Sequence, residues 1–239
     1  MRAKELGIQQ KSYFTALGEV SSGKRTIAIA GTHGKTTTSG MAARILRDAG
    51  AAPSAIVGSI VRDFGSNYLP GTSNLFVVEA CEYKRDFLTL APSILVITNI
   101  EFDHTDYYHD LADVQQAFRT LAEKVPADGF IVTDPNSPTI APVLEGLPAA
   151  IIDYTKEGDF ELRMPGEFNQ MNARAAAAAA KAALPDISPE SIHASLAAFE
   201  GTWRRFEYKG KTKSGAQVYD DYAHHPTAVR NTITELRKK

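Results

Sequence analysis

The feature that most constrains this chain is an apolar strand that runs directly into a glycine-containing turn and then a helix. The strand is Thr26-Ile-Ala-Ile-Ala30, a composition typical of a strand covered on both faces. The turn begins at Gly31, and the apolar residues that follow it repeat at helical spacing: Met41, Ala42, Ile45, Leu46 and Ala49. Gly50 stands where such a helix would end. The order predicts one unit of a parallel α/β sheet.

The turn itself, Gly31-Thr-His-Gly-Lys-Thr-Thr-Thr38, is typical of a phosphate-binding loop. Backbone amides at a helix N-terminus attract phosphate oxygens, and glycine lets the backbone approach them closely. Lys35 is expected at the terminal phosphates of a nucleotide, and the Thr36 hydroxyl at Mg²⁺. Ile29 stands where the common consensus has its first glycine, so the match is to a shorter variant. The alternative is a strand-to-helix turn without a ligand.

Further strand-like runs alternate with helical segments along the chain, which predicts an α/β fold with a mostly parallel sheet flanked by helices. The clearest are Leu75–Glu79, Ile94–Thr98 and Phe130–Thr133. Residues 172–184 are almost all alanine, a composition of high helix propensity. Residues 185–189 and 200–202 are the best linker candidates, and two strand-like runs and a last helix follow them.

Composition excludes several classes of function. A formal net charge of -2 over 239 residues gives no basic field for a nucleic acid. The single cysteine, Cys81, permits no internal disulfide, which fits a reducing cytoplasm. The apolar runs are shorter than the roughly 20 residues of a membrane span, so we expect neither a membrane segment nor a nucleic-acid partner.

Acidic side chains follow two of the predicted strands. Glu79 and Glu82 come after one, and a second group comes after the next: Glu101, Asp103, His104 and Asp106. Open α/β sheets bind ligands at the carboxyl ends of their strands, so these residues are candidate metal ligands. The alternative for the second group is a capped loop before the helix near Leu111.

Six blocks of sequence together resemble the Mur ligases of peptidoglycan synthesis, and the last two favour the branch that joins L-alanine to UDP-N-acetylmuramate. The blocks are Ile27 to Thr38, Val78 to Glu82, Thr98 to Asp106, Gly166 to Asn172, Arg204 to Glu207 and Asp220 to Thr227. The resemblance implies ATP and Mg²⁺ as cofactors, and an acyl phosphate that an amine then attacks.

The resemblance also implies three domains. Residues 1–24 would be the end of a first domain and a linker, 25–200 a central ATP-binding domain, and 201–239 the truncated start of a Rossmann-like third domain. Two alternatives stay open for the function. One is a sister ligase, in particular one that recycles a preformed peptide, and the other is an ATP-binding module that is inactive without further domains. The oligomeric state is left open.

Carried over residue by residue, the resemblance implies a catalytic set of Lys35, Glu79, His104 and Arg205. The metal ligands would be Thr36, Glu79 and His104. The ATP-binding set would be Gly31, Thr32, His33, Gly34, Lys35, Thr36, Thr37, Asn169, Asn172, Arg205 and Asp221. Phe168 stands where the family often has histidine. The helix after His104 has no lysine before Lys124, so no carbamoylated lysine is assigned.

For some of these residues, a purely structural role is the alternative to ligand binding. Asn169 and Asn172 could cap the alanine-rich helix. Arg204 and Arg205 could stack on neighbouring aromatic rings. His224 and His225 precede Pro226, so either could cap the last helix.

Overall fold

A computed structural model describes residues 2–238, and its centre is a seven-stranded sheet in the order β3-β2-β4-β1-β5-β6-β7. Every pairing in this sheet is parallel except that of β3 with β2. The strands are β1 Arg25–Ala30, β2 Ser54–Val61, β3 Ser66–Leu69, β4 Leu75–Glu79, β5 Ile94–Ile97, β6 Phe130–Thr133 and β7 Ala150–Asp153. The predicted α/β fold with a mostly parallel sheet is confirmed.

Helices cover both faces of the sheet. They are α1 Arg2–Glu5, α2 Tyr13–Ser22, α3 Lys35–Asp48, α4 Leu111–Ala122, α5 Ala141–Leu144, α6 Glu167–Ala183, α7 Pro189–Ala198 and α8 Pro226–Leu236. None of the helices within residues 2–238 is long and apolar enough to cross a bilayer.

Alternate side chains of the central strand β1 pack into two hydrophobic cores, one on each face of the sheet. Ile27 and Ile29 belong to the cluster that contains α3 and α6, whereas Ala28 and Ala30 belong to the opposite cluster with α4. All four side chains are fully buried. Successive side chains of a strand point to opposite faces, so a strand buried on both faces must be apolar throughout.

The alanine-rich helix α6 packs against α3. Ala175, Ala177 and Ala180 are among its fully buried residues. Methyl side chains let two helix backbones approach closely, so the run that resembles low-complexity sequence is a packed core helix. The predicted linker at 185–189 is only a short connection, because α7 begins at Pro189.

A second, two-stranded sheet follows α7. It pairs β8 Glu207–Lys211 with β9 Gln217–Asp220, antiparallel, and α8 follows. An isolated bridge from Val61 to Thr202 and an ion pair from Arg62 to Glu207 join this segment to β2 and the turn after it. The predicted boundaries at residues 24 and 200 stay predictions, and the outermost positions, 1 and 239, lie outside the described residues.

Candidate functional site

The loop between β1 and α3 needs glycine at two positions for different reasons. Gly31 and Gly34 have φ values of +135° and +85°, which side-chain-bearing residues rarely adopt. A Cβ atom on Gly31 would lie 2.0 Å from Thr98 Oγ1, and one on Gly34 would lie 2.3 Å from Asn172 Oδ1. The loop is therefore pressed against β5 and α6, and α3 begins directly after it at Lys35.

Asn99, at the carboxyl end of β5, holds the loop from the other side. Its Oδ1 accepts from the backbone N–H of His33 at 2.9 Å, and its Nδ2 donates to the carbonyl of His33 at 3.0 Å. The Thr98 hydroxyl donates to the same carbonyl at 2.6 Å. Sequence reasoning did not assign either residue to the site, although both directly follow the strand that pairs with β1.

The Lys35 ammonium has protein acceptors on three sides. It donates to the carbonyls of Gly31 at 2.6 Å and Thr32 at 3.2 Å, and it lies 2.9 Å from Oε1 and 2.8 Å from Oε2 of Glu82. Glu82 is only 2% exposed. Burial alone would raise the pKa of this carboxyl, but the Lys35 charge and hydrogen bonds from His104 and Lys35 outweigh it and lower the pKa. Glu82 therefore carries its charge beside Lys35, and the predicted site set omitted it.

His104 meets the same carboxylate. Its Nε2 lies 3.2 Å from Glu82 Oε1, and this hydrogen bond raises the pKa of His104. The backbone of His104 has φ +53°, an uncommon conformation for a residue with a side chain. The loop alternative for this segment is partly right, since Asp103 accepts from the backbone N–H of His104 at 2.7 Å, but the cap of α4 is Asp110.

Two oxygen atoms that could bind a hard metal ion lie close together where the end of β4 meets the start of α3. The Thr36 hydroxyl is 3.1 Å from Glu79 Oε1. The other oxygen of Glu79 accepts from the backbone N–H of Gly58 at 2.6 Å, which fixes the carboxylate. Neighbouring ligands of an octahedral Mg²⁺ at 2.0–2.1 Å stand ~2.9 Å apart, so this pair fits that ion.

Arg205 reaches the loop from the far end of the chain. Its Nη2 donates to Thr36 Oγ1 at 3.2 Å, and its guanidinium carbon lies 5.1 Å from the centre of the Tyr222 ring. Arg204 stacks on Trp203 and Tyr222 at 5.7 Å and 5.5 Å. The stacking alternative therefore holds for both arginines, and Arg205 additionally contacts the first turn of α3.

Asn169 and Asn172 lie inside the first turns of α6, whose N-cap is Gly166. The capping alternative is therefore wrong. Asn169 donates to the carbonyl of Pro165 at 2.7 Å, and Asn172 Oδ1 accepts from the Thr38 hydroxyl at 3.3 Å. In this arrangement Asn172 supports the loop at Gly34, and adenine contact by either residue stays a prediction.

Asp221 and the two histidines lie between β9 and α8. Asp221 accepts from the backbone N–H groups of Phe206 at 2.6 Å and Ala223 at 2.7 Å, which orders the connection. His225 is the N-cap of α8, so its predicted capping role is confirmed. His224 is exposed, and its Nδ1 lies 3.0 Å from the carbonyl of Tyr222.

One cleft of ≈ 740 Å³ brings these elements together. Except for Gly31, the predicted site residues all line it: Thr32, His33, Gly34, Lys35, Thr36, Thr37, Glu79, His104, Asn169, Asn172, Arg205 and Asp221. Glu82, Asn99 and Phe168 line it as well. The cleft is large enough for a nucleoside triphosphate, with the loop and the start of α3 in its wall.

Comparison with known proteins agrees with this geometry. The family model described as the Mur ligase middle domain matches residues 29–159, and the one described as the Mur ligase, glutamate ligase domain matches residues 204–239. The UDP-N-acetylmuramate--L-alanine ligase of Desulfitobacterium hafniense is 40% identical over 99% of this chain and 58% of its own length. The chain thus spans a little over half the length of this curated relative.

Two solved structures extend the comparison. A ligase from Neisseria meningitides that joins UDP-N-acetylmuramate to L-alanyl-gamma-D-glutamyl-meso-diaminopimelate is 30% identical with a TM-score of 0.75, over 85% of this chain and 75% of its own. A UDP-N-acetylmuramate-alanine ligase from Thermotoga maritima has a TM-score of 0.80 at 23% identity, over 99% of this chain and 60% of its own. At 23% identity, the similarity to the Thermotoga protein shows a shared fold only.

Proposed function

The chain belongs to the Mur ligase family, and from that premise we propose that it is the ATP-binding core of a ligase that joins L-alanine to UDP-N-acetylmuramate. The observation that carries the proposal is the meeting of Lys35, Thr36, Glu79 and Arg205 around the loop at the wall of a nucleotide-sized cleft. The relative at 40% identity bears the name of that activity.

Positive groups converge where a triphosphate would lie. The unpaired amides and positive dipole end of α3 face the cleft at Gly34 to Thr37. The Lys35 ammonium and the Arg205 guanidinium line the same cleft and add two full positive charges. Phosphate binding requires Lys35 to exchange its Glu82 contact for phosphate oxygens. Charge spread in this way stabilises a transferring phosphoryl group.

Mg²⁺ fits the Thr36 and Glu79 pair, and bound there it would neutralise charge on the phosphates. Glu82 contacts Lys35, the residue before Thr36, and His104 contacts Glu82 in turn. Their partly buried hydrogen bond orients both side chains, which line the cleft, and we infer that His104 serves as a further Mg²⁺ ligand when its proton is displaced. The Gly58 amide keeps Glu79 facing Thr36.

The chemistry proposed for the whole ligase has two steps. Phosphoryl transfer converts the lactyl carboxylate of UDP-N-acetylmuramate into an acyl phosphate, and the neutral amine of L-alanine then displaces phosphate to form the amide. The residues of this chain bind and orient ATP for the first step. ATP and these substrates meet in the cytoplasm. A cytoplasmic location of the protein therefore stays a prediction.

A calorimetric titration tests the nucleotide part. The chain is titrated with a non-hydrolysable ATP analogue, with and without Mg²⁺, beside the Lys35→Ala variant. Magnesium-dependent binding that the variant loses supports the proposal. Equal binding by both proteins would refute the assignment of the loop.

A chimera tests the ligase part. This chain replaces the matching part of the Desulfitobacterium relative, and ADP release is followed with UDP-N-acetylmuramate and L-alanine. Release that requires both supports the proposal. No release by a chimera that binds the ATP analogue would count against it and favour an ATP-binding module.

The second candidate is a peptide-recycling ligase, which the 30% identity to the Neisseria protein favours. The same assay separates the two candidates when the tripeptide named for that protein replaces L-alanine. ADP release with the tripeptide but not with alanine would select the recycling activity.

A further inference from the structure

A group of three side chains that could bind a metal lies apart from the proposed Mg²⁺ ligands. His33, Glu101 and His225 each offer one ligand atom, and these atoms lie within 4.8 Å of one another. His33 comes from the phosphate loop, Glu101 from the segment after β5, and His225 from the start of α8. We propose that these three residues form a binding site for a divalent transition-metal ion, Zn²⁺ in the first place, that fastens α8 to the phosphate loop.

The donor atoms lie near the spacing of a tetrahedral zinc site. His33 Nε2 lies 3.7 Å and His225 Nδ1 lies 3.5 Å from Glu101 Oε2. Ligands at 2.0–2.1 Å in a tetrahedron stand ~3.3 Å apart, so both distances to Glu101 are close to that value, and the two histidine atoms, which lie within 4.8 Å of each other, would be drawn together by the ion. Two imidazoles and one carboxylate are a common zinc set, and a water molecule would complete the coordination.

The His33 side chain provides the observation that points to a ligand. Its Nε2 atom is buried and has no hydrogen-bond partner among residues 2–238, since Glu101 Oε2 lies 3.7 Å away. A buried polar atom without a partner costs free energy, because it has lost its contact with water. Coordination of a metal by its lone pair would remove that cost.

His225 has the hydrogen bond that metal-ligating histidines usually show. Its Nε2 lies 3.3 Å from the carbonyl of Phe102, which can only accept, so Nε2 carries the proton. The lone pair is then on Nδ1, which faces Glu101. The long contact of Nδ1 with the backbone N–H of Thr227, 3.3 Å, would be exchanged for the metal bond.

Glu101 is fixed in both backbone and side chain. Its N–H donates to Thr32 Oγ1 at 2.8 Å, and its Oε2 accepts from the Thr227 hydroxyl at 2.7 Å. The carboxylate has further lone pairs for a metal. Asp103 adds a negative charge near His33, whereas the Lys35 charge opposes a cation there. The site is thus largely formed before an ion binds.

Zinc binding by the chain is measured with a competing zinc chelator dye in excess Mg²⁺, which fills the Thr36 and Glu79 pair, and Co²⁺ is added as a spectroscopic probe. We expect one zinc per chain, cobalt absorption bands of a four-coordinate site, and a Tm raised by ~5–10 °C at zinc ~100-fold above its Kd. His33→Ala and His225→Ala should each weaken zinc binding by at least ~10-fold, since even outer partners of a site cost that much.

The matched control is His224→Ala, which removes the neighbouring histidine outside the group and should bind zinc like the wild type. Glu101→Gln keeps the side-chain shape and should also lose the cobalt bands, so the test does not depend on a histidine variant that fails to fold. The proposal would be overturned if the wild type did not bind zinc. It would also be overturned if zinc affinity were the same in the wild type and in the three variants His33→Ala, His225→Ala and Glu101→Gln.

Discussion

Arg205 Nη2 donates a hydrogen bond of 3.2 Å to the hydroxyl of Thr36, across 169 positions of sequence. The contact joins the segment after α7 to the first turn of α3. Thr36 also donates to Glu79, so an arginine and a carboxylate meet at a single hydroxyl. This arrangement ties the start of α3 to the C-terminal segment, so the proposed phosphate binding should depend on the position of that segment.

Arg205→Ala should weaken binding of a non-hydrolysable ATP analogue by ~10-fold, because a charge-assisted contact to the phosphates is lost. Titration calorimetry in the presence of Mg²⁺ measures it. Arg204→Ala is the matched control, since Arg204 stacks on the same Tyr222 ring but has no contact with Thr36 in the structure. A larger loss of affinity in the control than in Arg205→Ala would contradict the assignment.

Lys35→Ala should abolish nucleotide binding and also destabilise the fold. Glu82 is buried, and removal of its ammonium partner leaves a buried charge without its main partner, which typically costs ~3–5 kcal/mol. Urea denaturation measures the stability. The double variant Lys35→Ala/Glu82→Gln should recover most of the stability without recovering affinity. Recovery of nucleotide binding in the double variant would show that Lys35 acts only on the fold.

Gly34→Ala should destabilise the chain by more than the ~1 kcal/mol cost of a positive φ alone. Its Cβ would lie 2.3 Å from Asn172 Oδ1. Gly50→Ala separates strain from collision, because Gly50 has φ +77° but no atom within 4 Å of the added Cβ. Chemical denaturation of both variants gives the difference. Equal destabilisation of the two variants would mean that Asn172 moves away from the added Cβ atom without a cost in folding free energy.

Glu207→Gln should destabilise the attachment of the two-stranded sheet by ~1–2 kcal/mol at neutral pH. Burial would raise the pKa of Glu207, but hydrogen bonds from Lys209, the backbone of Arg204 and Arg62 outweigh it and lower the pKa. A lowered pKa gives stability that is present above the ordinary value and lost as the pH falls through the lowered value.

The measurement is urea denaturation of Glu207→Gln and the wild type across an acid series. The difference between them should shrink as the wild-type carboxylate becomes protonated. A difference that is constant down to the most acidic pH would contradict the charge-based explanation.

The strands that the sequence predicted are those with unbroken apolar runs. Phe130–Thr133 is a strand at the predicted bounds, and the predicted strands at β1, β4 and β5 agree within one residue. The sequence reasoning missed β2, which contains Ser54, Gly58 and Ser59, and the edge strand β7, whose Ala150 and Ile151 are exposed. Partial exposure breaks the pattern that identifies a buried strand.

The helix α7 was missed for a different reason. Pro185 and Pro189 frame a short connection that predicts a linker, yet Pro189 occupies the first turn of a helix whose N-cap is Ser188. Proline at that position is compatible with a helix, since the first amides have no intrahelical acceptor. Only the packing of Ile192 and Leu196 into the core decides between the two.

The sequence by itself determined the strand, the glycine-containing turn and the helix of this unit, because an apolar run, two closely spaced glycines and a helical repeat are local features of the chain. Only the tertiary structure decided that Glu82 pairs with Lys35, that Asn172 supports Gly34, and that His225 meets His33. These partners are 47, 138 and 192 positions apart. Lys35 and Glu82 meet because β1 and β4 are adjacent parallel strands that end at the same edge of the sheet. Asn172 arrives on α6, which packs against α3, and His225 arrives at the start of α8. The spacing of residues along the sequence does not specify which distant side chain will contact a given loop residue.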